Sequence, residues 1–126
     1  MATRPAFQFY ATDWRSDPYV SLMSLEEEGA YIRLLAFAWL SDGDGIPVDD
    51  RGRAAVLKVP EKKAAALWKT LARHWEPNAD GTGLVNPRQE KQRQEYDELV
   101  EKRRKAGLAS AAARANTDPN TGATHD

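Results

Sequence analysis

Between Ser24 and Leu40 the chain reads SLEEEGAYIRLLAFAWL, with apolar residues returning at three- and four-residue steps, the period of one helix face. Leu25, Gly29, Ile32, Leu35, Ala36 and Trp39 form the stripe. Leu34, Phe37 and Ala38 widen it until Arg33 is almost the only polar residue in the second half. A helix apolar nearly all round is expected to be buried, so this segment is predicted to be the rod on which the other elements pack. Ser24 and Glu27 have the S-x-x-E spacing of a capping box. Glu26, Glu27 and Glu28 sit in the first turn, where the positive end of the helix dipole favours them. Asp42-Gly43 is expected to end the helix.

Upstream, Phe7 and Phe9 alternate with Gln8 and Tyr10, the pattern of a short strand or extended lead-in. Trp14 and Tyr19 are expected to cover the N-terminal end of the rod. Downstream, turn signals surround Ile46-Pro47-Val48, allowing only a brief extended segment, which Pro47 confines to an edge. Asp49 or Asp50 can cap a second, short helix ending near Lys58, although Gly52 weakens it by about 1 kcal/mol relative to Ala. Val59-Pro60 breaks it, because a residue preceding proline is pushed out of helical geometry. Pro60 then suits the first position of a third helix running to about His74 or Trp75.

That third helix has two contrasting sides. Ala64, Leu67, Trp68, Leu71 and Trp75 fall on one face, the expected core stripe, while Lys62, Lys69 and Arg73 point the opposite way with Ala65 and Ala66 between them. A basic outer face of this kind suits a DNA major groove, where Lys and Arg neutralise phosphates and read guanine edges. An ordinary amphipathic surface helix has the same outline. After Trp75-Glu76-Pro77 comes an Asp80-Gly81 turn signal and then Leu84-Val85-Asn86, predicted as a small hairpin. Helix, turn, basic helix, hairpin is the order of a winged helix.

From about Arg88 the chain is expected to be helical again, with a thin apolar band at Tyr96, Leu99 and Val100 as its packing point. The cluster Lys102, Arg103, Arg104 and Lys105 follows. It is either a backbone contact for DNA or a solvated helix end. The predicted class is therefore mainly α with a small β-hairpin, winged-helix-like, with a long C-terminal helix. Its expected divisions are a winged-helix-like domain over 1–100, a projecting basic helix end over 101–116 and a disordered tail over 117–126.

Net charge sharpens this picture. The 126 residues total −1, but residues 1–50 carry −6 and residues 51–75 carry +6. A basic island inside a nearly neutral chain says more about partners than the total does. The absence of cysteine removes disulfides, thiolate metal sites and Cys nucleophiles. No apolar run approaches the ~20 residues of a membrane span, and MATRPAF has no apolar core of a secretory signal. Nucleotide-binding, zincin and hydrolase signatures are missing. Asp42, Asp44, Asp49 and Asp50 cluster but lack the Ca²⁺-loop spacing. His74 and His125 are far apart. The expectation is a cytoplasmic, non-enzymatic protein without cofactor or metal.

The block Phe9-Tyr10, Asp13-Trp14, Ser24-Leu25-Glu26-Glu27-Glu28-Gly29-Ala30-Tyr31, Leu34-Leu35 and Trp39-Leu40, followed by Ile46-Pro47 and Asp49-Asp50, resembles the YdaU-type family of (pro)phage-encoded proteins. The likeness continues more loosely to about residue 115; its specific part is the L-E-E-x-G-A-Y segment. It implies a winged-helix-like domain in phage DNA replication initiation, binding DNA or a host replication factor, with no catalytic residues to carry over. Many relatives of this kind continue into a C-terminal region; if that region contacts the helicase, this polypeptide is expected to hold only the DNA-binding half. The Arg51-Gly52-Arg53 opening of the second helix departs from the family pattern.

The expected DNA contacts are Lys62, Lys69 and Arg73 in the groove, Lys63, Arg51 and Arg53 on phosphate, and Lys102, Arg103, Arg104 and Lys105 as additional backbone contacts. The alternative is a protein-interaction module that recruits or hijacks a host replication protein, such as the replicative helicase or its loader. Its contacts would be the acidic residues Asp13, Asp17 and Glu26–Glu28 or the C-terminal helix. That helix could equally support a homodimer.

Overall fold

The computed structural model of this chain describes residues 5–124, with side chains described over 5–115. Among the described residues no helix is long and apolar enough to cross a membrane. The chain divides into two units, 1–93 and 94–126. In the first, a lead-in precedes α1 (Ala11–Ser16), α2 (Pro18–Ser21), α3 (Leu25–Leu40), α4 (Asp50–Leu57), α5 (Glu61–Leu71) and a 3-10 turn (Ala72–His74). Then come β1 (Glu76–Pro77), β2 (Leu84–Val85) and the start of α6 (Pro87–Thr124). The mainly helical class with one small antiparallel hairpin is as expected. In the hairpin Glu76 pairs with Val85 and Pro77 with Leu84.

α3 forms because its first turn is chemically complete. Ser24 Oγ accepts from Glu27 N at 3.1 Å, and Glu27 Oε1 accepts from Ser24 N at 2.8 Å. These bonds, the backbone one first, together with the hydroxyl of Thr70, hold the Glu27 carboxyl below its usual range. The buried face is Ala30, Tyr31, Leu34, Leu35, Ala38 and Trp39. This corrects the expectation of a rod covered on all sides. Leu25 is 88% exposed and Leu40 72% exposed, and Ile32 and Phe37 are exposed with them. The segment is apolar on two sides, so periodicity alone could not select one. The side carrying Tyr31 and Trp39 is the one that packs, against a core that includes Val20, Met23, Leu57, Leu67, Leu71 and Trp75.

Residues 5–10 join neither a helix nor a sheet. Gln92 holds them from α6: its Oε1 accepts from Gln8 N at 2.9 Å and its Nε2 donates to Gln8 O at 3.0 Å. Phe7 packs on Trp39 and Phe9 on Trp14, with ring centroids 5.6 and 5.2 Å apart. Trp14 caps the N-terminal half of α3 as expected, stacked on Tyr31 at 5.2 Å with its indole N–H donated to Glu28 at 2.9 Å.

α4 follows the cap expected of Asp49, whose Oδ1 accepts from Gly52 N at 2.8 Å. Gly52 is there for space, because a Cβ would lie 2.4 Å from Cβ of Pro47. That close approach explains the weak helix former in the Arg51-Gly52-Arg53 opening. Lys58, at φ +60°, closes the helix in left-handed geometry before Pro60 starts the next turn. Ile46, fully buried, exchanges two backbone hydrogen bonds with Leu84 at 2.8 and 2.9 Å. The segment between α3 and α4 therefore docks on the hairpin.

Within the first unit the start of α6 is anchored by polar side chains. Asn86 and Gln89 are buried, and Gln89 Nε2 donates to Leu35 O at 2.8 Å. Arg93 pairs with Glu90 and lies 3.7 Å from Asp42. In the second unit the described residues from Glu101 to Ala115 are exposed. The backbone of α6 continues to Thr124. Over 117–124, within the tail expected to be disordered, only the backbone is described, and it is helical; the side chains from 116 onward lie outside the described residues.

Candidate nucleic-acid interface

α5 packs through Ala64, Leu67 and Leu71, all buried. At 100° per residue the opposite side carries Lys62, Ala66, Lys69 and, in the turn that follows, Arg73. All four are exposed. The structure thus brings together the three residues expected to enter a groove. Lys62 and Lys69 make no ion pair among the described residues. Arg73 does not project freely: its guanidinium carbon lies 3.6 Å from the centroid of the Tyr19 ring.

The expected phosphate contacts separate. Lys63 turns to the flank of α5 and pairs with Glu26 at 2.8 Å, with both side chains still exposed. Arg51 is exposed on α4. Arg53 is a correction, because it is 4% exposed and belongs to the interior. Its guanidinium donates to Pro47 O at 3.1 Å and Asp50 Oδ1 at 2.7 Å and lies 4.0 Å over the Trp68 ring. A planar cation that stacks on an indole while bonding a carboxylate is held inside a fold, here with its terminal nitrogens bonded and Nε without a partner among the described residues, and it cannot reach a phosphate from there. Nothing in the charge pattern separates Arg51 from Arg53; the signal that does is the i,i+3 partner Asp50 together with Trp68 on the next helix. Lys102, Arg103, Arg104 and Lys105 lie in the second unit, all exposed, with Arg104 paired to Glu101 at 2.5 Å.

The acidic residues of the alternative interface are largely spent inside the first unit. Asp17 caps α2 by accepting from Tyr19 N at 2.8 Å and Val20 N at 3.2 Å. Glu26 holds Lys63, Glu27 completes the capping box and accepts from Thr70, and Glu28 holds Trp14. The hairpin loop is fixed as well, with Asn78 Nδ2 3.2 Å from both Gly43 O and Asp44 O. It carries Asp80 and no cation.

Tyr19 leads inward along a line of rings. His74 lies edge-on to it at 6.3 Å and stacks on Tyr31 at 4.7 Å. Nε2 of His74 is buried without a hydrogen-bond partner among the described residues. Burial holds its pKa below the ordinary 6.5; Asp17 opposes that shift, and Arg73 and Arg88 add to it. The unfolded chain therefore takes up a proton at a higher pH than the folded one, so acidification favours unfolding. Stability to urea is expected to fall as pH drops from about 7.5 to about 5.5, and a His74→Gln variant is expected to flatten that dependence.

Comparison of the chain with protein-family models, with curated proteins and with solved structures found no match in any of the three.

Proposed function

We propose that the first unit is a winged-helix-like DNA-binding domain, acting without catalysis in the replication initiation of a phage or prophage. The supporting observation is the outer face of α5, where Lys62, Lys69 and Arg73 stand opposite a buried Ala64, Leu67 and Leu71. The order of elements supports it too: α3, the Ile46 bridge, α4, α5 and a returning hairpin. The hairpin differs from a DNA-gripping wing in carrying no Lys or Arg, so α5 is the reading element and the hairpin its brace. The phage context rests on the sequence resemblance alone.

Three cations, two on α5 and one in the turn after it, give a modest electrostatic footprint, with a logarithmic salt slope of about −3. A salt-series gel shift on duplex and single-stranded DNA tests this. Lys62→Glu/Lys69→Glu is expected to weaken duplex binding on the order of a hundredfold near ~0.1 M salt and to flatten the slope by about 2. A folded parent that binds no duplex at low salt sinks the proposal. The second reading, a module that recruits a host replication protein, is favoured by the apolar stripe that α3 leaves uncovered at Leu25, Ile32, Phe37 and Leu40. Its signature is partner binding that survives high salt without DNA affinity.

A further inference from the structure

The cations of the α5 face are not equivalent. Lys62 and Lys69 are ammonium groups on flexible stems without partners among the described residues. Such groups suit phosphates, which need charge but little orientation. Arg73 is different. Its guanidinium lies 3.6 Å from the centroid of the Tyr19 ring, and no hydrogen bond or ion pair among the described residues engages its N–H groups. A flat fork held against an aromatic face keeps its edge free while losing rotational freedom before any ligand arrives. That is the arrangement a bidentate contact to O6 and N7 of guanine requires.

Tyr19 is itself fixed. It lies in α2, whose first turn Asp17 caps through Tyr19 N and Val20 N, and Val20 is buried in the core. His74, next in sequence to Arg73, meets the ring from its edge at 6.3 Å. Cation and platform are thus tied to different elements and meet at the outer face of α5. Nothing in the core requires the meeting, since both side chains are exposed. An exposed cation–π pair contributes only about 0.5–1 kcal/mol to folding, which makes a purely stabilising role a weak reason for it.

We infer that Arg73 is the base-reading side chain of this domain, selecting a guanine in the major groove, and that Tyr19 is its positioning residue while Lys62 and Lys69 hold the backbone. This rests on the DNA-binding reading above. Direct base contacts carry sequence discrimination and phosphate contacts do not, so the two roles separate in one experiment. The parent protein, Tyr19→Phe, Tyr19→Ala and Arg73→Lys are each used to select from a randomised duplex pool. The selected duplex and its guanine-to-adenine variant are then titrated over a salt series, with circular dichroism confirming the fold of each protein.

The parent and Tyr19→Phe are expected to enrich one guanine and to prefer it about tenfold or more over adenine. Tyr19→Ala is expected to lose most of that preference while keeping the parent's salt slope, because the charge remains. Arg73→Lys is expected to do the same, because an ammonium keeps the charge but lacks the fork. A Tyr19→Ala protein that still selects the same guanine overturns the positioning role. A parent that binds duplexes without enriching any base overturns the base-reading role and leaves DNA binding intact. No duplex binding by the parent overturns the DNA-binding reading itself.

Discussion

Gly45→Ala is expected to cost about 4 kcal/mol of folding stability. Gly45 has φ +77°, and a Cβ there would lie 2.2 Å from the carbonyl oxygen of Leu84. Left-handed geometry alone costs a non-glycine residue about 1–2 kcal/mol. The clash adds more, because Leu84 O is the acceptor of the Ile46 N bond, and the Leu84 N bond to Ile46 O closes the same pair. Driving those backbones apart leaves buried groups without partners, at about 1–3 kcal/mol each. Total stabilities run to only about 5–15 kcal/mol, so the variant approaches collapse. Gly81 is the internal control. It has φ +75°, but a Cβ there would meet nothing within 4 Å. Gly81→Ala should therefore incur the backbone strain and no more. Urea unfolding of both variants decides it, and equal losses would show that the close approach is not what Gly45 serves.

The second large effect is expected at Asn86, with a loss of about 3 kcal/mol for Asn86→Leu. This buried amide joins three elements. Its Nδ2 donates to His74 O at 2.9 Å and to the Tyr31 hydroxyl at 3.2 Å, while its Oδ1 accepts from Gln89 N at 3.0 Å and so caps α6. Leucine fits the volume but leaves a carbonyl, a hydroxyl and a helix N–H unpaired in the interior. Loss of the cap accounts for about 1 kcal/mol, and the rest is the cost of orphaned polar groups. Asn86→Asp keeps the cap acceptor but turns a donor toward His74 O into an acceptor, so it recovers only part of the loss. Urea unfolding measures both variants, and a leucine variant as stable as the parent would remove Asn86 from this role.

Asn86 also marks the limit of what the amino-acid pattern reveals. Caps, breaks and helix faces are legible wherever one residue type has one local use: Ser24 with Glu27, Asp49 before α4, Val59-Pro60 between helices, Asp80-Gly81 in the hairpin. The outer face of α5 is legible for the same reason, since Leu and Lys sort cleanly on a helix with one apolar side. α3 is not, because both its sides are apolar and only the neighbours decide which is covered. The anchoring of α6 is hidden altogether. Asn86, Gln89 and Gln92 work through hydrogen bonds to Tyr31, Leu35 and Gln8, dozens of residues away. An Asn or Gln in a charged stretch gives no sign of that use. Arg53 misleads because charge counts as surface by default, and its partners Asp50 and Trp68 become visible only once α4 and α5 are packed.

The grip of Gln92 on the lead-in has a consequence for the behaviour of the protein in concentrated solution. A segment outside helix and sheet that bears Phe7 and Phe9 is the sort of stretch onto which a foreign strand can zip, because its peptide groups offer a template. At Gln8 both the N–H and the C=O are already taken by one side-chain amide. The template is interrupted at its midpoint, and a strand pairing there would first have to displace that amide.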